Sequence, residues 1–226
     1  MTDTKSVSIT SLVTVPALST LGITILRVVG ELQHWSPRFF NTAPGGGAAL
    51  VGISWLPIIF GPYFAVKLAG AGDGPSSTGK AIGFSFLALV VFVLAGFLFG
   101  KTIGHASFLT LLALLLMLFA AFVPGFGWRS LRNTLLAYAF AARIPVLIVM
   151  YLAMSGNGGQ GWGTHYDAVA PPFAPLPLAT KYLYTAVLPQ MTMWIGWTVV
   201  VGSIFGTVVA AVAGRGKREA AAAAPV

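Results

Sequence analysis

The chain has 226 residues, 57% of them hydrophobic and only 8% charged, with a mean hydropathy of +0.86. Soluble domains carry about 25% charged residues, so this deficit excludes an ordinary water-soluble fold and makes lipid the solvent. The net charge of +8, from 13 Lys and Arg against five acids, is scattered over segment ends, which reads as membrane orientation and not as a nucleic-acid stripe. With no cysteine, disulfides, thiolate catalysis, Cys-ligated zinc and iron–sulfur clusters are excluded.

The polar start MTDTKSVS has no compact apolar core followed by a small-residue cleavage site, so the first apolar segment is expected to be retained. That segment, 11–30, is the most dilute candidate span, because it holds Pro16, Ser19, Thr20, Thr24 and Arg27. An interfacial helix is its alternative. Arg27 and Glu31 are four apart and can pair on one helix face. The connector Leu32–Gly47 holds His34, Trp35, Pro37 and a Pro44-Gly45-Gly46-Gly47 run, and reads as a loop.

Segment 48–69 is apolar but contains Pro57 and Pro62. If it is helical, each proline removes an amide donor and frees the carbonyl four residues back, at Ile53 and Ile58. Such a break persists in a membrane only where protein or water satisfies the freed groups. After the polar linker Gly70–Lys80 come two uninterrupted apolar runs, 81–99 and 106–123. Both meet the spanning length, and the short connector makes them an antiparallel hairpin. Pro124-Gly125-Phe126-Gly127 ends the second, and Trp128, Arg129 and Arg132 mark an interface. A fifth span is expected at 133–154, with Arg143 and Pro145 near its middle. The connector 155–181 is the longest, opening on a glycine-rich tract and reaching His165-Tyr166-Asp167. The last span, 182–213, is long enough to tilt or to turn inward at Pro189.

These elements predict an all-α polytopic helical bundle forming a single integral membrane domain, with six spans preferred over five. Six spans put Lys5, Lys67, Lys80, Arg129, Arg132, Arg215, Lys217 and Arg218 on one side, against Arg27, Arg38, Lys101 and Lys181 on the other. That bias places both termini in the cytoplasm. The Ala- and Gly-rich composition with compact loops is associated with a bacterial inner membrane.

Within this frame Arg143 is the leading functional candidate, since a charge inside a span needs a protein partner and no intramembrane carboxylate is available to it. It is either an anion contact or gate, or a structural donor to the carbonyls at Ile53, Ile58 and Ala141, the last freed by Pro145. Gln190, beside Pro189, either lines a polar cavity with Thr192 and Thr198 or bonds across to a neighbouring helix. Tyr138 joins Arg143 and Gln190 as a ligand or gate candidate. Pro57, Pro62, Pro145 and Pro189 are the candidate helix breaks.

Small residues recur every four positions at Gly96, Gly100 and Gly104 and at Gly202, Gly206, Ala210 and Gly214, a spacing that lets helix backbones approach closely. Packing within the chain's own bundle is the favoured use, and contact with another subunit the second. His34, His105, His165 and Asp167 fall on one predicted side and are weak metal candidates. They lack ligand spacing, so no metal and no cofactor are predicted. No hydrolase, phosphate-loop or dinucleotide signature occurs, which argues against an enzyme. The glycine tract 156–163 reads as a mobile loop, or as a lid over a vestibule. The expected partners are the lipid bilayer and other membrane subunits or a second copy, with no nucleic acid. The favoured role is a non-catalytic component of a larger membrane complex; the alternative is a small transporter or channel with a polar site around Arg143 and Gln190.

Overall fold

The computed structural model describes residues 8–47, 49–103 and 107–222, with side chains to residue 214. Among the described residues the regular structure is entirely helical. The helices are α1 (Ile9–Leu32), α2 (Pro57–Gly70), α3 (Thr78–Thr102), α4 (Phe108–Ala120), α5 (Arg129–Gly159), α6 (Leu178–Tyr182), α7 (Leu188–Met191) and α8 (Met193–Ala222). A π-turn, Leu183–Val187, joins α6 to α7. Five stretches are long and apolar enough to cross a membrane: Ile9–Leu32, Thr78–Thr102, Phe108–Phe126, Arg129–Gly159 and Leu178–Gly214. The chain is therefore a polytopic helical membrane protein, and 11–30 forms a full-length helix.

Within the expected span 48–69 the regular helix is shorter than the span. Helix α2 begins only at Pro57 and has 14 residues, about 21 Å at 1.5 Å per residue, short of the ~30 Å hydrocarbon core. Proline at the first helical position costs nothing, because its missing N–H has no intrahelical partner there. With a full helical turn ahead of it the same ring would clash with the carbonyl four residues back, so helix extends poorly back through Pro57. The irregular backbone before it is satisfied from outside. Arg27 Nη1 donates to the Val51 carbonyl at 2.9 Å and Trp197 Nε1 to that of Ser54 at 2.7 Å. Pro57 is thus a helix start, whereas Pro62 and Pro145 lie inside α2 and α5.

The last span is also more broken than a single turn at Pro189. The π-turn precedes Pro189, and Thr192 (φ −121°, ψ −75°) separates α7 from α8. Thr185 and Thr192 donate their hydroxyls back to the carbonyls of Lys181 and Leu188, which helps satisfy backbone where the regular ladder lapses.

Helix α8 is the packing centre, touching α2, α3, α4 and α5. Its contact with α2 is made by small residues. A side chain on Gly61 would collide with the Gly202 backbone, and one on Gly206 would meet the Gly61 carbonyl at 2.8 Å and Ala65 at 3.2 Å. Ala210 packs against the same core. The Gly202–Gly206–Ala210 ridge is therefore used inside the chain. Of the other ridge, Gly96 would meet only the end of Met117 and Gly100 nothing within 4 Å, while Gly104 lies outside the described residues.

Helix α1 lies along α5. The Thr20 hydroxyl and the Tyr138 phenol are 2.8 Å apart, and the Tyr138 ring meets Phe60 and Phe64 of α2 at 5.3 and 5.6 Å. At one end of the bundle, Trp128 Nε1 and the Ser130 hydroxyl donate to Asp73, at 2.9 and 2.7 Å, tying the α2–α3 linker to the start of α5. At the other end lie the close of α1, the segment before α2 and the 160–177 loop. The site is built at that second end.

Candidate functional site

A cavity of about 690 Å³ opens among α1, α3, α4, α5, the π-turn and the 160–177 loop. Its two walls differ. Thr24, Arg27, Arg143, His165, Tyr166 and Gln190 form the polar wall, while Phe99, Leu111, Leu114, Leu183 and Leu188 contribute to an apolar one.

Arg143 sits at the middle of α5 and is 3% exposed. Its Nη1 donates to Gln190 Oε1 over a long 3.4 Å, its guanidinium carbon lies 4.7 Å from the Trp194 ring centroid, and its Nε has no hydrogen-bond partner. None of the carbonyls at Ile53, Ile58 and Ala141 receives it; Ile53 is not helical and its carbonyl accepts from Leu56. Gln190 Nε2 in turn reaches only Met150 Sδ at 3.7 Å, a weak acceptor. Among the described residues no carboxylate pairs with Arg143. The bundle thus holds a cation and an amide whose hydrogen-bonding capacity is largely unspent, on the wall of a cavity. Buried polar groups are normally satisfied, so this wall is chemically incomplete.

The other arginine of the polar wall is the opposite case. Arg27 Nε donates to Glu31 Oε1 at 2.7 Å, as the i,i+4 spacing predicts. Its Nη1 and Nη2 donate to the carbonyls of Val51, Asn41 and Gly46 at 2.9 to 3.0 Å. Glu31, with its side chain fully buried, also receives the His165 backbone N–H at 2.8 Å, and His165 Nδ1 lies 2.6 and 2.8 Å from its two oxygens. Burial pushes the His165 imidazole below its ordinary range. Glu31 pulls the other way, and the nearby Arg27 charge adds to the fall. A neutral ring that donates from Nδ1 fits this setting. Tyr166, whose phenol burial raises, donates to the Thr24 carbonyl at 3.4 Å. One cluster thus ties together α1, the segment before α2, and the loop after α5.

The glycine tract has a defined conformation. Helical geometry ends at Gly156, Asn157 takes φ +52°, and Asn157 Nδ2 donates to the Gly161 carbonyl at 2.7 Å. Asp167 accepts from the backbone N–H of Gly163 and Thr164 and from the Thr164 hydroxyl at 2.6 to 3.0 Å. Gly161, at φ +85°, leaves no room for a side chain beside Asp167. The turn sets His165 against Glu31.

Arg143, Gln190, Pro189 and His165 therefore share one cavity. Tyr138 does not line it and bonds to Thr20 instead. The hydroxyls of Thr192 and Thr198 turn to their own helix carbonyls. His34 is exposed with φ +54°, Asp167 caps the turn, and His105 lies outside the described residues. Among the described residues no three His, Cys, Asp or Glu side chains group as a metal would require. Sequence reasoning did not find His165 with Glu31, which are 134 residues apart, or Tyr166. Trp194 is the aromatic face under Arg143. No known protein family, curated protein or solved structure matches the chain.

Proposed function

We propose that this chain is a small membrane transporter whose solute binds in the cavity between Arg143 and the 160–177 loop. The observation that carries the reading is Arg143 itself: buried, without a carboxylate, with one long hydrogen bond and an unpartnered Nε, on the wall of a 690 Å³ space. An intramembrane charge is costly unless it serves a pathway or finds a partner, and volumes of roughly 300–1,000 Å³ are typical of small-molecule sites. Broken helices beside the cavity, at Pro57 and from 183 to 192, suit an element that rearranges, since irregular backbone at membrane depth occurs where it lines a cavity. With the 71–77 linker in the cytoplasm, as the Lys and Arg bias favours, the loop that closes the cavity faces outward.

The lack of native cysteine makes the test direct. Single cysteines at Gln190 and Met150, in membrane vesicles, are expected to react with small charged thiol reagents from both faces, in separate experiments. Reaction at neither position, while a cysteine in the 160–177 loop reacts, would overturn the reading.

One observation favours a second role, as a component of a larger complex in the same membrane. Gly100 meets nothing and Gly96 only the tip of Met117, so the ridge on α3 keeps a face that another helix can approach.

A further inference from the structure

We infer that the ligand of this cavity is a single-chain amphiphile with a planar monoanionic head of the carboxylate kind. The inference rests on the reading of the cavity as a ligand site and names its occupant by charge, shape and polarity.

Charge comes first. Two cations line the cavity, Arg27 and Arg143. Glu31 compensates Arg27 at 2.7 Å, and three backbone carbonyls take its remaining reach. One positive charge is left over, at Arg143. A monoanion balances it, whereas a dianion would bring a second buried charge with no partner.

Shape follows from what covers the guanidinium. Trp194 lies against its face, 4.7 Å from centroid to carbon, and Gln190 Oε1 takes Nη1 at long range. Approach is therefore along the edge, where a guanidinium receives two oxygens of one anion, and the single spare charge selects a monoanionic carboxylate over a dianionic phosphate. Gln190 Nε2, held only by Met150 Sδ at 3.7 Å, supplies a further donor beside it.

The remainder of the ligand is set by the apolar lining. Phe99, Leu111 and Leu114 from α3 and α4, with Leu183 and Leu188, offer apolar surface and no charge. Ile103 and Phe108 also line the cavity and are exposed by 57% and 75%, so its apolar lining continues to the outer surface of the bundle. A small polar anion would leave this apolar lining unfilled.

The test compares head groups on one tail, with the full-length chain in nanodiscs of zwitterionic lipid at pH 8 and empty discs as background. Radiolabelled myristate, tetradecanol and tetradecyl phosphate are the probes. Saturable binding of myristate at one site per chain is expected, at least about tenfold tighter than tetradecanol, the value of one charge-assisted hydrogen bond. Arg143→Gln is expected to erase the difference between the two. Equal binding of tetradecanol and myristate to the native chain, or preference for the phosphate, would overturn the assignment of the head while leaving the cavity a ligand site. No saturable binding of any of the three would overturn the cavity reading as well. The head-group comparison uses the native chain, so it decides even if Arg143→Gln fails to fold.

Discussion

Replacing Glu31 by alanine removes the acceptor that joins α1 to the outer loop, and its effect follows from the contacts. Three bonds are lost: from Arg27 Nε at 2.7 Å, from the His165 N–H at 2.8 Å, and from His165 Nδ1 at 2.6 to 2.8 Å. Both charged partners are shielded, with side-chain exposures of 0% for Glu31 and 9% for Arg27. Removing one member of a buried pair costs 3–5 kcal/mol, because the other charge stays behind. Arg27 keeps its three carbonyl acceptors, so the lower end applies, about 3 kcal/mol. Glu31 holds the loop and not the bundle core, so the cost falls on local opening. At 1.36 kcal/mol per factor of ten, the 160–170 amides are expected to exchange with deuterium roughly 150-fold faster. Hydrogen-exchange mass spectrometry in nanodiscs reads this directly, with α8 peptides as an internal control. A change below about fivefold, which corresponds to less than ~1 kcal/mol, would refute the claim that Glu31 fastens the loop. The double variant Arg27→Met with Glu31→Leu leaves no orphaned charge and is expected to open less than Glu31→Ala alone.

Acidification acts on the same cluster. His165 is held below its ordinary pKa in the fold, by burial and by Arg27 against the pull of Glu31 and Asp167, so the unfolded loop binds the proton more readily. Loop stability is thus fully present above the ordinary histidine pKa and falls as the pH drops from there toward the lowered value; 160–170 protection at pH 5, corrected for intrinsic exchange, is expected below that at pH 7.5, and His165→Gln flattens the profile. Gly61→Leu forces a side chain into the Gly202 backbone and is expected to destabilise by about 3 kcal/mol. Gly100→Leu enters open space and is expected to stay within about 0.5 kcal/mol, both read by thermal denaturation in detergent. For topology, a cysteine at Ser76 is expected to label only from the cytoplasm and one at Pro175 only from outside; labelling of both from one side would contradict the three crossings, α3, α4 and α5, that separate them.

Much of the fold was legible because lipid imposes a simple rule: long, predominantly apolar stretches become helices, and 81–99, 106–123 and 133–154 all did, within a few residues of their ends. The late helix start within 48–69 has a local cause, since hydropathy does not report that Pro57 suits a helix start and that Arg27 and Trp197 cap the irregular backbone before it. Local spacing also reached as far as Arg27 with Glu31, because i,i+4 geometry lies within one helix. It could not reach His165, whose approach depends on the turn fixed by Asn157, Gly161 and Asp167. Arg143 and Gln190 were singled out as polar residues in apolar spans, but their meeting depends on how α5 packs beside α7. The Gly202 ridge found its partner in Gly61, one residue before Pro62, a pairing that sequence spacing on α8 alone does not reveal.

Native mass spectrometry of the full-length protein, released in mild detergent from its own membrane, tests the ligand-site reading of Arg143 most directly. The expected result is a chain that carries one non-covalent adduct of small-molecule mass, absent from Arg143→Gln protein that still unfolds cooperatively. A bare chain under the same conditions, an adduct unchanged in Arg143→Gln, or foreign subunits at fixed stoichiometry with no small molecule would contradict it.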